Sequence, residues 1–117
     1  MPNNGRKPIV RILSETQPQP TAHQIGLKQV LLANDETESK LTQIAVTTLR
    51  KGEEVEPHVH KTMDEHYLFE SGEGWFVLDG ERIDCREGLF LLVPAGCEHS
   101  MVATTELKFM TIGVALD

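Results

Sequence analysis

Residues 52–66 read GEEVEPHVHKTMDEH, and the rest of the chain is organised around them. His58 and His60 stand two residues apart, and on an extended strand that spacing directs both side chains to one face. Glu65 follows after Lys61, Thr62, Met63 and Asp64, a polar break long enough for the chain to turn, so its carboxylate can arrive from the next strand and meet the imidazoles. His99, in the segment PAGCEHS over 94–100, offers a third imidazole. Singly, these residues read as solvated strand histidines and a surface acid. Together they gather three of the chain's five histidines into two short segments bounded by turn residues. Three neutral imidazoles and one carboxylate suit one divalent first-row ion, with iron, manganese, nickel and zinc all admissible; on an octahedral ion they leave two positions open.

A chain of 117 residues is long enough for one core and too short for two. A hydrophobic fraction of 39% beside 25% charged residues is that of a globular chain, and a formal charge of −7 argues against nucleic acid as a partner. The longest apolar run, residues 89–93, is far below the roughly 20 residues of a membrane span. The polar start MPNNGRKP lacks the apolar core of a signal peptide. These features give the expectations of a cytoplasmic protein with no membrane and no nucleic-acid partner. Cys85 and Cys97 read as buried free thiols, with Cys97, two residues before His99, bordering the site.

Along the chain, residues 1–7 read as a frayed terminus, 9–13 (IVRIL) as a strand, and Gln17-Pro18-Gln19-Pro20 as a linker-like turn. Residues 26–32 form a strand of mixed periodicity, and 33–40 a charged loop. Strands follow over 41–50 and 53–60. Residues 65–71 alternate so that Glu65, Tyr67 and Phe69 share the inner face while His66 points away. Asp79-Gly80 between 75–78 and 81–85 is a two-residue type I′ hairpin signal. Residues 89–93 read as buried on both faces or lying at an interface. On the strand after Pro94-Ala95-Gly96, His99, Met101 and Ala103 face inward. Nine or ten short strands without an amphipathic helix make an all-β domain.

Two motifs then resemble a known family. Gly52-x5-His58-x-His60-x4-Glu65-x6-Gly72 matches the first cupin motif, and Gly88-x5-Pro94-x-Gly96-x2-His99 matches the second up to its last letter, where Ala103 stands in place of a common Asn. Leu89 also follows Gly88 where Asp is common; neither position is a metal ligand in the family pattern. The resemblance implies a single-domain cupin, a double-stranded β-helix (jelly-roll) barrel, with residues 1–40 as N-terminal strands and linker packing on the barrel and 41–117 as the barrel itself. It implies His58, His60, Glu65 and His99 as ligands of one divalent metal (Fe, Mn, Ni or Zn). Such folds host dioxygenases, isomerases, lyases and decarboxylases as well as binding modules. The expected function is therefore metal-dependent turnover of a small, modestly polar molecule, with Glu65 and Tyr67 as catalytic groups, and the alternative is a non-catalytic metal- or ligand-binding module. The pocket reads as mostly apolar, lined by Phe69, Met101, Phe76 or Trp75, and Cys97, without an inward arginine to pair with a sugar phosphate. The expected partners are a small-molecule substrate and a second copy in a homodimer, with residues 9–13 expected either to pair with the sheet of their own chain or to reach the second copy by strand exchange.

Overall fold

The computed structural model describes residues 6–117, which form ten strands and two short 3-10 turns, Leu13–Glu15 and Asn34–Glu36, with no α-helix among them. The strands are β1 (Pro18–Pro20), β2 (Leu27–Ala33), β3 (Leu41–Leu49), β4 (Glu54–His58), β5 (Met63–Ser71), β6 (Gly74–Leu78), β7 (Glu81–Cys85), β8 (Phe90–Val93), β9 (His99–Ala103) and β10 (Leu107–Ala115). They make two antiparallel sheets, six-stranded in the order β1-β2-β3-β10-β5-β8 and four-stranded in the order β4-β9-β6-β7. No described helix is long and apolar enough to cross a membrane.

From β3 onward the chain steps from one sheet to the other at every turn except the β6–β7 hairpin, the signature of a jelly roll. The expected all-β jelly roll is what the chain forms, with the two sheets sharing a core without being closed into a barrel. Loops carry the crossings in place of a continuous ladder, tied by isolated bonds such as Gly52 N–H to the Ala103 carbonyl (2.8 Å).

Alternation along the strands builds the core. Tyr67 and Phe69 of β5, Phe76 of β6, Met101 of β9 and Phe109 of β10 are all buried, and Ser100 and Val102 lie on the more open side of β9. Tyr67 meets Phe76 edge-on at 5.0 Å between ring centres, and Phe69 lies 5.3 Å from Phe109, geometries that aromatic quadrupoles favour. Asp79 (φ 51°) and Gly80 (φ 84°) close the β6–β7 hairpin in the conformation a type I′ turn requires. Gly72 of the first motif sits at φ 94°, and a Cβ there would stand 1.9 Å from the Glu106 carbonyl oxygen, so only glycine fits.

Two readings of the N-terminal region are corrected, and one of β8 is narrowed. Residues 9–13 are not a strand: the sheet edge beyond β2 is taken by β1, and the segment instead runs irregularly. It is held to its own chain by Arg11, which donates to the Leu31 carbonyl (2.6 Å) and to Glu36. Pro18–Pro20, expected as a turn, is that edge strand; prolines are tolerated there because an edge leaves N–H positions unpaired. In β8, Leu91 and Val93 are buried while Phe90 (58% exposed) and Leu92 are not, so of the two readings of this run it is burial on both faces that fails. The frayed-terminus expectation lies, for residues 1–5, outside the described residues.

Candidate metal centre

The imidazoles come from the four-stranded sheet and its turns. His58 ends β4 directly opposite His99 at the start of β9. The ladder slips between Val55 and His58, and His60 lies two residues past the strand end, so the pair is not aligned by simple strand alternation. A backbone bond from Gly96 N–H to the His60 carbonyl (2.8 Å) fixes it instead, joining the turns of the two motifs. Ring centres stand 4.1 Å apart for His58 and His99, 5.0 Å for His58 and His60, and 5.4 Å for His60 and His99. Their nitrogens lie within 4.8 Å of one another.

Glu65 reaches this cluster from the six-stranded sheet. Its Oε1 lies 3.6 Å from His60 Nε2 and 3.4 Å from His99 Nε2, and it accepts a 2.6 Å hydrogen bond from the Tyr67 hydroxyl. Burial pushes the Glu65 carboxyl up, but the contacts with His99 and Tyr67 and the charge of His60 outweigh it, so the group titrates below its ordinary value. Burial, and then Glu65, push the Tyr67 hydroxyl well above its ordinary value and keep it a proton donor. Burial also lowers the His58 imidazole.

The donor set fits a divalent metal. The Nδ1 atoms of His58 and His99 lie 2.9 and 3.1 Å from the carbonyls of Glu56 and Cys97, and since a carbonyl only accepts, each Nδ1 carries the proton. That leaves the unprotonated Nε2 as the ligand atom on both rings, oriented by a backbone partner as metal-bound histidines are. His99 Nε2 is fully buried without a hydrogen-bond partner, a costly state for a polar atom unless something binds it.

A cavity of about 180 Å³ opens on this centre. Met101 lines it as expected, but Phe69 and Phe76 do not: they stand in the core behind it, Phe76 stacked on His99 at 5.8 Å. Cys97 packs against the core and touches the centre only through its carbonyl. Trp75 lies away from the cavity under Arg82. The wall is mostly apolar, as expected, but Lys28, Gln43, Thr47 and Thr111 also contribute to it, together with His23, whose ring is 4.4 Å from His58. His66 faces away, its Nδ1 bonded to the Ile112 carbonyl at 2.9 Å.

Two of the missed residues, His23 and Lys28, come from the N-terminal third. A register shift between Val30 and Leu32 in β2 explains the mixed periodicity of that stretch. Before the shift, Lys28 pairs with Thr47, and both face inward, a signal recoverable from the β2–β3 pairing but not from β2 alone. His23 lies on a loop without any periodic signal.

Comparison with known proteins agrees with this architecture. No curated protein matches the sequence. Among solved structures, a predicted oxalate decarboxylase from Thermotoga maritima is 25% identical over 92% of this chain and 100% of that one, with a TM-score of 0.85. A RmlC-like cupin from Shewanella frigidimarina superposes with a TM-score of 0.80 at 17% identity, over 94% and 93% of the two chains. Salicylate 1,2-dioxygenase from Pseudoaminobacter salicylatoxidans does so at 0.69 and 19% identity, over 82% of this chain and 26% of that one. The family model described as "Cupin domain" matches residues 45–113, more than half of the chain and every residue of the imidazole cluster, so the protein belongs to the cupin family.

Proposed function

We propose that the protein is a metal-dependent cupin enzyme acting on a small organic molecule through adjacent oxygen atoms. The observation that carries this reading is the buried, unpartnered Nε2 of His99, converging with His58, His60 and Glu65 at the end of a cavity. His58, His60, His99 and Glu65 would hold one divalent ion, which when bound supplies Lewis-acid polarisation of a substrate oxygen and, for iron or manganese, redox chemistry. The Tyr67 hydroxyl orients the Glu65 carboxylate through Oε1, which leaves Oε2 to receive a proton from substrate. The walls, with Met101 and Phe109 among the residues of both sheets, restrict water and so strengthen every charge interaction inside. The likeness to a predicted oxalate decarboxylase supports a decarboxylase or lyase; the dioxygenase version differs in consuming dioxygen.

Elemental analysis of protein made without a histidine tag should find about one metal per chain, lost in His60→Ala. Wild-type protein that stays metal-free after incubation with iron, manganese, nickel and zinc would overturn the reading. Turnover screens with an oxygen electrode separate dioxygenase from decarboxylase, and a ligand that binds loaded protein but is never converted favours the binding-module alternative. We also propose a homodimer, supported by the exposed Leu68, Phe90 and Leu92 on the outer face and edge of the six-stranded sheet. A monomer mass by light scattering at micromolar concentration would rule it out.

A further inference from the structure

The inner face of the six-stranded sheet holds a cation that the metal chemistry does not use. Across this sheet, Lys28 pairs with Thr47, Thr47 with Phe109, and Phe109 with Phe69, while two rows further on along the same face Gln43 pairs with Gly113 and Gly113 with Glu65. Lys28 and Gln43 therefore share with Glu65 the face that looks into the cavity. Lys28 is half-buried, and its Nζ donates to Gln43 Oε1 at 3.3 Å, so the partner of this ammonium is a neutral amide. Among the described residues no carboxylate lies within ion-pair distance of it, although the chain carries 18 acidic residues against 11 basic ones. A half-buried ammonium without a counter-charge is a place where an anion gains more than it would in water. The bond from Lys28 occupies Gln43 Oε1 and leaves the amide N–H₂ as a second donor, and the Thr47 and Thr111 hydroxyls stand on the same wall.

We infer that Lys28 and Gln43 form the anion-binding end of the cavity, and that the substrate is a small organic acid whose carboxylate rests on them while its other oxygen atoms face the imidazole cluster. The inference builds on the metal-dependent reading and narrows its substrate class. A cavity of about 180 Å³ is below the ~300 Å³ at which drug-sized pockets begin, so the acid is a short one, such as a hydroxy or oxo dicarboxylic acid. Lys28 and Gln43 are specificity-determining residues here, separate from the metal-holding set.

The test is calorimetric titration of manganese-loaded protein with two matched pairs, malate against its 4-amide and 2-oxoglutarate against its 5-amide, with manganese content measured on the same samples. In the wild type the acid should bind about ten- to a hundredfold more tightly than the amide, the range of one charge-assisted hydrogen bond. Lys28→Met should weaken only the acid, bringing the pair level without changing manganese content, and Lys28→Arg should keep most of the preference. A general packing defect would weaken acid and amide alike. The inference is overturned if the loaded wild type binds neither pair or does not distinguish them, or if Lys28→Met still prefers the acid. If the protein takes up no manganese, the titrations are made with whichever of iron, nickel or zinc it does take up; if it takes up none of them, the metal-dependent reading fails by itself, and the same titrations on unloaded protein decide the anion end. A preference that disappears in Lys28→Met sustains it, and no preference overturns it.

Discussion

The two sheets contribute to one cavity in different ways. The four-stranded sheet presents imidazoles from strand ends and turns: His58 and His99 face each other across β4 and β9, and His60 is pinned by a backbone bond to Gly96. The six-stranded sheet presents Glu65, Tyr67, Lys28, Gln43 and Thr47 from strand interiors, at positions set by the register of long ladders. A ligand set made from turns can be specified by short, glycine- and proline-punctuated motifs. A wall made from ladders depends on which strands pair and where they slip. The difference suggests that metal affinity and substrate choice can be altered separately.

The largest expected effect comes from breaking the imidazole side. His99→Ala removes the buried Nε2, and metal affinity should fall by more than about a hundredfold, beyond what losing a mere supporting group costs; retained metal by elemental analysis would place the centre elsewhere. Tyr67→Phe probes the opposite wall. It deletes the 2.6 Å bond to Glu65 while leaving every imidazole, so activity should drop about ten- to a hundredfold with metal still bound. Loss of metal in that variant would mean that the hydroxyl holds the ligand set rather than tuning it.

Smaller effects sharpen the contrast further out. Cys85 lies at the rim of the four-stranded sheet, where burial and then Asp84 push its thiol to about 12; it should resist alkylation at pH 8 in the native protein and react only on unfolding. Labelling of the folded protein there would show that this sheet is not sealed. The smallest effect concerns the N-terminal cover of the six-stranded sheet. The Arg11 hydrogen bond, then a backbone bond from Ala33, hold Glu36 at about 2 against an ordinary 4.5. Because the folded value is depressed, the stabilisation is complete above about 4.5 and is lost as pH falls towards 2. Glu36→Gln should thus lower the thermal midpoint slightly at pH 7, with the difference from wild type shrinking at pH 3 and in high salt.

The sequence made much of this legible. Glycine and proline punctuation with strand alternation disclosed an all-β chain, the Asp79-Gly80 hairpin and the inward set Tyr67, Phe69, His99, Met101 and Ala103. The outcome for His60 is instructive: the structure brings it beside His58 by a turn contact, not by the alternation that first suggested the pair. What remained illegible depends on pairing partners. Lys28 appears inward only once β2 is registered against β3, the slip near Val30 hides its period, and the prolines of β1 look like a linker until an edge is available to receive them. Phe69 and Phe76 point inward as parity requires, yet a face turned to the core is not always a face on the cavity.

The β4–β9 pairing that sets His58 against His99 also has a kinetic meaning. These histidines belong to strands separated by β5, β6, β7 and β8, so the nascent chain must close one of its longer loops before the two rings can meet. No hairpin of consecutive strands contains the pair. In a refolding experiment, uptake of a fluorescent-indicator metal should then lag behind formation of the local β6–β7 hairpin, and the rate at which metal affinity appears would time the docking of β9 on β4. The centre is in this sense a clock for long-range assembly, and a variant that binds metal normally at equilibrium can still reveal slow folding by how late that affinity arrives.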